Sequence, residues 1–288
     1  MAEKSIIVKD LTYRYGSLVA VDHISFEVGT GEILGFLGPN GAGKTTTVKM
    51  LTGQLRPKEG SAMLLGFDIA REPEKVQARI GVCFELTNLY EQMSAVDNLK
   101  LFAELFGVTD FDAYALLDRV GLKGREKDSV GGYSKGMKQR LMIARSLVNR
   151  PDILFMDEPT SGLDPVSSEA IDNIILEERK RGATVFLTTH DMWEADKLCD
   201  RVAFMESGRI AALDTPRSLK QEYGKRSLVA EVTAPDGHLN RREITMDQAG
   251  TADAVESLFR QGKVVTLHSE EATLEDIFIQ ITGRRLTE

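Results

Sequence analysis

The segment GPNGAGKT, Gly38 to Thr45, constrains the fold more than any other stretch of this chain. Its spacing, G-x-x-x-x-G-K-[ST], is that of a phosphate-binding P-loop. Upstream, Glu32-Ile33-Leu34-Gly35-Phe36-Leu37 reads as a short apolar strand. Downstream, Lys44 to Leu51 reads as a helix with Val48 and Leu51 on one face. A strand, a glycine turn and a helix N-terminus together make an anion cradle, because backbone N–H groups and the helix dipole converge on one point. Gly38, Gly41 and Gly43 permit backbone angles and close approaches that a side chain would forbid. Pro39, Asn40, Ala42 and Thr46 complete the loop and its exit. Lys44 supplies a charge for the β- and γ-phosphates of a nucleotide, and the Thr45 hydroxyl reaches toward Mg²⁺. A chance match to the pattern arises roughly once per hundred chains of this size. The flanking strand and helix make it rarer still.

With 288 residues the chain can bury a full core in one large domain or two. It is 42% hydrophobic and 28% charged, as soluble globular proteins are. Apolar runs fall short of the roughly 18 residues of a membrane helix, and MAEKSIIVKD lacks a signal-peptide core. A cytoplasmic location is expected. The net charge of −8 argues against a nucleic-acid-binding surface. Cys83 and Cys199 both lie in apolar surroundings and neither has metal-site spacing, so buried free thiols are expected.

Along the chain, short β-rich and helical runs alternate. Ile6 to Val8 and Ile24 to Val28 read as strands, with Tyr13-Arg14-Tyr15-Gly16 between them. Tyr15 could stack on a base, although a plain strand residue is the simpler reading. Ser61 to Leu65 and Ile80 to Phe84 read as strands, the second ending at Glu85. From there to Asn149 the pattern turns helical. Ser94 and Ser134 stand as N-caps, and Pro151 closes the last of these helices. Ile153 to Met156 and Ala183 to Thr188 are continuous apolar runs, as in buried parallel strands. Alternation of this kind implies an α/β fold with a parallel sheet, whose ligands gather at the strands' carboxyl ends. The P-loop, Glu85, Asp157 and His190 all fall at such ends. After Gly224 the chain reads as a smaller α+β unit, with strands near 227–232, 244–246 and 264–267 and helices near 252–260 and 274–281.

A phosphate cradle needs a metal ligand and a group that activates water. Asp157 would hold Mg²⁺, and Glu158 would orient or deprotonate the attacking water. A carboxylate pair before Pro159 is unremarkable alone; beside a P-loop it reads as catalytic. His190 could hydrogen-bond the γ-phosphate, though a lone histidine at a strand end is more often structural.

Phe155-Met-Asp-Glu-Pro-Thr-Ser-Gly-Leu-Asp164, with Tyr133-Ser-Lys-Gly-Met-Lys-Gln-Arg140, resembles the nucleotide-binding subunits of ABC transporters. The resemblance runs from residue 5 to about 224 and includes the family's motifs in order. It implies a P-loop NTPase of ABC type, with a parallel core sheet, an antiparallel β subdomain, an inserted helical subdomain at about 86–150 and a small C-terminal α+β unit. The corresponding domains are 1–224 and 225–288. By the same resemblance Tyr15 is the aromatic that stacks on adenine, and His190 is the switch histidine. Tyr133 to Met137 corresponds to the family signature LSGGQ, with Ser134 and Gly136 retained and Lys135 and Met137 departing. In the family this segment closes over the P-loop of a second subunit, so a homodimer is implied. Asp164 belongs to the loop at that interface. The family usually has glutamine where this chain has Glu85. A carboxylate there can ligate Mg²⁺ but adds negative charge beside ATP. The bland alternative is a solvated glutamate at the start of a loop.

The signature variant and the ending Ala272 to Gly283 resemble ATPases of prokaryotic exporters for drugs, lipids, ions or polysaccharides. The implied function is ATP hydrolysis that powers transport through a separate membrane permease, the chain lying on the cytoplasmic face of the membrane. A soluble ABC ATPase of iron–sulfur assembly is the remaining alternative. Relatives acting on ribosomes or DNA ends differ in having two cassettes or a long coiled coil. A non-hydrolysing regulatory module is disfavoured by the presence of Lys44, Asp157, Glu158 and His190 together.

Overall fold

A computed structural model describes residues 3–284 apart from 225–226, 234–237, 247 and 262. The chain forms two compact units, the first ending at Leu213 and the second beginning at Asp214.

The first unit opens with β1 (Lys4–Tyr15) and β2 (Leu18–Gly29), an antiparallel hairpin in which Tyr15 pairs with Leu18. Both strands run well beyond Ile6–Val8 and Ile24–Val28, the runs that mark them in the sequence. Their outward faces are polar, so alternation hides their length. β3 (Ile33–Leu37) leads through the P-loop into α1 (Lys44–Leu51). β4 (Glu59–Leu64) pairs with β1, and β5 (Phe67–Asp68) with β4, giving the antiparallel order β2-β1-β4-β5. The short α2 (Pro73–Gln77) precedes β6 (Ile80–Cys83).

The helical insert follows as α3 (Ala95–Leu105), α4 (Ala113–Arg119), a 3-10 turn at Val130–Gly132, and α5 (Lys135–Ser146). Each α-helix has a side-chain cap: Ser94 accepts from the Asp97 amide, Asp112 from Tyr114 and Ala115, Ser134 from Met137. α5 stops at Ser146 rather than running to Pro151, because Asn149 turns back to donate to the carbonyls of Ala78 and Ile80. α5 also lies close on β6: a side chain at Gly81 would overlap the Ser146 carbonyl.

The chain then alternates through β7 (Ile153–Asp157), α6 (Pro165–Arg181), β8 (Thr184–Thr189), α7 (Met192–Leu198), β9 (Arg201–Glu206) and β10 (Arg209–Asp214). The resulting sheet has the order β10-β9-β3-β8-β7-β6. β9, β3, β8, β7 and β6 pair in parallel, so their carboxyl ends share one edge. β3, β7 and β8 are buried throughout, as their unbroken apolar runs require. One buried cluster draws on the antiparallel sheet, α1 and the parallel sheet. Phe186 is at its centre, with Phe36 at 4.7 Å and Phe155 at 5.5 Å between ring centroids. Each such buried ring contributes about 1.5–3 kcal/mol over an exposed one. This core sets the parallel strands, and with them the loops at their carboxyl ends.

The second unit holds α8 (Pro216–Tyr223), β11 (Ser227–Thr233), β12 (Leu239–Thr245), α9 (Thr251–Gln261), β13 (Lys263–Glu270) and α10 (Leu274–Thr282). Its three strands form an antiparallel sheet in the order β12-β11-β13. Ala230, Val232 and Leu258 make a small core, and α8 packs against α10. The helix at 216–223 therefore belongs with the C-terminal unit, whereas the sequence places the division after Gly224. Residue 225, where that reading starts the unit, lies outside the described residues.

Candidate active site

The P-loop follows β3 and curls around Lys44, whose side chain is buried. Lys44 Nζ donates to the carbonyl oxygens of Gly38 (2.6 Å) and Pro39 (3.3 Å). Two of the loop glycines are required by the chain's own backbone. A side chain at Gly38 would overlap the Met205 carbonyl, and one at Gly43, held at φ +106°, would meet the Ala20 carbonyl. Gly41, at φ +82°, has open space where a side chain would stand. The loop thus leads into the N-terminus of α1, the kind of position that recognises phosphate.

β7, paired with β8, carries the carboxylates to the same edge. Asp157 is buried; its Oδ1 accepts from the Thr188 hydroxyl and, at 3.3 Å, from that of Thr45. Its Oδ2 is buried with no hydrogen-bond partner among the described residues. Burial raises the Asp157 pKa above the usual carboxylate range, while the hydroxyls of Thr188 and Thr45 act against it. A buried carboxylate oxygen beside a threonine hydroxyl suits a divalent cation, which would supply the missing partner.

Glu158 adopts a left-handed backbone, φ +51°. A non-glycine residue in that region is strained, at a cost on the order of 1–3 kcal/mol, and is kept there by its surroundings. Its amide donates to the Thr188 carbonyl (3.0 Å) and hydroxyl (3.1 Å). The side chain is buried between two cationic or titratable neighbours. Lys44 Nζ lies 3.2 Å from Oε1 as an ion pair outside hydrogen-bond alignment, and His190 Nδ1 lies 2.7 Å from Oε2. Lys44, Thr45, Asp157, Glu158 and His190 thus converge as the strand-end positions suggested. Thr188 is the member that the sequence reading missed. Its signal was a threonine inside a fully buried strand, where a hydroxyl must find a partner.

Other candidates fall at this edge or around it. Tyr15 ends β1, is 45% exposed, and packs edge-on against Tyr13 at 4.9 Å. Glu85 follows β6, is exposed, and makes no hydrogen bond or ion pair among the described residues. Its contacts do not tie it to Thr45 or Asp157. Ser134 caps α5; no hydrogen bond joins Ser134, Lys135, Gly136 or Met137 to the P-loop among the described residues. The segment instead packs on the turn after β7. Lys135 Nζ donates to the Ser161 carbonyl at 2.8 Å, and a side chain at Gly136 would press on the Ser167 hydroxyl. Asp164 caps α6 by accepting from the Ser167 amide and hydroxyl, which hold its carboxyl below the usual range.

Known proteins resemble this chain in sequence and fold. The chain matches the family model for ABC transporters over residues 21–161. It is 47% identical, over 98% of its length and 94% of the relative's, to the fluoroquinolones export ATP-binding protein of Mycobacterium tuberculosis. It is 38% identical, over 99% of both chains, to the Nod factor export ATP-binding protein I of Burkholderia thailandensis. Among solved structures, an ATP-binding subunit of an ABC transporter superposes with a TM-score of 0.70 at 30% identity, covering 76% of this chain and 92% of that one. Coverage of the P-loop, the Asp157–Glu158 pair and the signature helix by such matches leaves one conclusion: the chain belongs to the ABC transporter family, as an ATP-binding subunit that hydrolyses ATP.

Proposed function

We propose that this subunit powers export through a separate membrane permease, in a pair of copies that close over Mg²⁺–ATP on the cytoplasmic face of the membrane. The match over nearly the whole chain to subunits named for two export systems carries this reading.

Bound Mg²⁺ would neutralise charge on the β- and γ-phosphates. Thr45 and Asp157 are the residues suited to hold it, and the orphaned Asp157 Oδ2 supports that assignment. Glu85 remains a weaker candidate, since its carboxylate is solvated. Lys44 offers its ammonium to the phosphates; Glu158 holds the attacking water and takes its proton; His190, tied to Glu158, fixes that carboxylate and reaches the γ-phosphate. Tyr15 stacks on the adenine. Ser134 and Gly136, at the start of α5, would complete the site from the second copy.

A cavity in the first unit supports a docking role toward the permease. A cavity of about 340 Å³ opens between β6, α3 and α5, lined by Ile80, Val82, Phe84, Phe102 and Phe106 among others. Arg145 stiffens one wall: its guanidinium lies 4.6 Å from the Phe102 ring centroid and donates to the Asn88 carbonyl. An apolar helical segment of the permease fits such a groove.

The test is whether a polytopic membrane protein is encoded beside this chain and co-purifies with it. Phe106→Asp should abolish the complex while leaving the isolated subunit's ATPase activity intact. A complex unaffected by that change would remove the groove from the interface, and absence of any membrane partner would remove the export reading.

A further inference from the structure

Glu194, on the first turn of α7, is buried but plays no part in the mechanism above. Its Oε1 accepts from the Thr160 hydroxyl at 2.8 Å. Its Oε2 is buried without a well-formed hydrogen bond among the described residues. Thr160 lies two residues beyond Glu158, in a turn closed by bonds from the Ser161 amide to the Glu158 carbonyl and from the Leu163 amide to the Thr160 carbonyl. Beneath that turn is a cavity of about 200 Å³, lined by Glu158, Thr160, Asp172, His190, Asp191 and Glu194 among others. The turn is therefore anchored at two points over an open space: Lys135 holds the Ser161 carbonyl from one side, and Glu194 holds Thr160 from the other.

We propose that Glu194 is a positioning residue for ATP hydrolysis, whose ionised carboxylate grips Thr160 and so keeps Glu158 aimed at the attacking water.

The strained backbone of Glu158 explains why such a grip matters. A residue at φ +51° relaxes when its surroundings loosen, and its carboxylate then leaves the reactive line. The strength of the grip depends on charge, since a bond to a carboxylate is roughly twice as strong as one to a neutral acid. The groups around Glu194 do not favour its charge. From α6 it faces Asp172, with Glu169 near; from α7, Asp191, Lys197 and the Cys199 thiol; from the strand ends, Glu158 and His190. The cation among its own helix neighbours, Lys197, is bonded to Asp172 at 2.9 Å. Burial is the main influence and lifts the Glu194 pKa to about 7, against the lowering effect of the Thr160 and Thr189 hydroxyls. The grip is thus full above neutrality and weakened below it. The inference rests on the ATPase assignment and is independent of the permease.

The experiment is the pH profile of kcat for the full-length protein, with Lys44→Ala as the control that the measured turnover belongs to this site. Wild type should gain activity as pH rises through about 7. Glu194→Gln should lose about tenfold at alkaline pH, lack that rising limb, and keep its KM for ATP within about twofold. Thr160→Val should reproduce the loss with the carboxylate intact, and Thr160→Ser should restore both activity and limb. This threonine pair tests the proposal even where the glutamine variant fails to fold. A rising limb retained in Glu194→Gln or in Thr160→Val, at whatever absolute rate, would overturn the proposal. Residual activity in Lys44→Ala would instead indict the assignment of the site itself.

Discussion

Lys44 is the residue on which the active site turns, because its ammonium is shared between the loop's own carbonyls and Glu158. Lys44→Ala removes that charge and leaves Glu158 buried beside His190 alone. ATP binding or hydrolysis should be lost while circular dichroism stays native; wild-type turnover in a folded variant would refute the assignment. Glu85 makes the opposite case. An exposed carboxylate without a hydrogen bond or ion pair among the described residues should tolerate Glu85→Gln, with activity equal to wild type or higher. A tenfold loss, about 1.4 kcal/mol of barrier, would reveal a role for the charge itself. Glu194 also leaves a mark on stability. Its folded pKa, about 7, lies above the value of 4.5 it has when free. Between those values the folded chain keeps a proton that the unfolded chain has released. Stability from this group is complete below the lower value and is lost as pH rises through the upper one. Glu194→Gln should flatten that part of the Tm–pH curve, as differential scanning calorimetry would show.

At the scale of elements, the sequence was legible where one physical rule dominated. β3, β7 and β8 are buried on both faces, so they appear as plain apolar runs bounded by glycine, proline or charge. The caps Ser94 and Ser134 were equally plain, because a hydroxyl three residues before a free amide has one good use. β1 and β2 were only half visible, since each buries one face and alternation dilutes the signal. The pairing of Thr160 with Glu194 was not legible at all. It joins residues far apart in sequence through one buried bond, and no local pattern encodes that. Ser134 permits a direct measurement at this scale. Ser134→Ala removes the bond to the Met137 amide and should cost about 1 kcal/mol, lowering the urea midpoint without changing the slope. An unchanged midpoint would mean that the start of α5 is held by its packing and by Lys135.

For the molecule as a whole, the division after Leu213 alters how the C-terminal unit should be removed. A cut after Gly224 would strand α8 without α10 and expose Leu219, which is buried in the intact chain. A chain ending at Leu213 should remain soluble and bind ATP with unchanged affinity, as nucleotide titration would show, because every phosphate-handling residue lies before that point. Loss of affinity in a soluble product would assign the C-terminal unit a part in the site. Pairing of copies is tested by Glu158→Gln, which keeps the shape of the side chain but slows hydrolysis by about 10²–10⁴-fold. In sizing chromatography this variant should elute as a dimer with ATP and as a monomer with ADP. A monomer with ATP demonstrably bound would end the shared-site mechanism.

The two cysteines make such pairing unusually easy to watch. Cys83 lies in a buried strand, where burial pushes its thiol up to about 12; Cys199 is buried too, its sulfur pressed toward Gly35 and its pKa raised further. Neither forms the thiolate that maleimides attack near neutral pH. The natural chain should therefore react little with thiol-directed dyes and cross-linkers near neutral pH. One cysteine introduced at an exposed position, such as Leu18 beside Tyr15, would become the main reporter on each copy, with little background to engineer away.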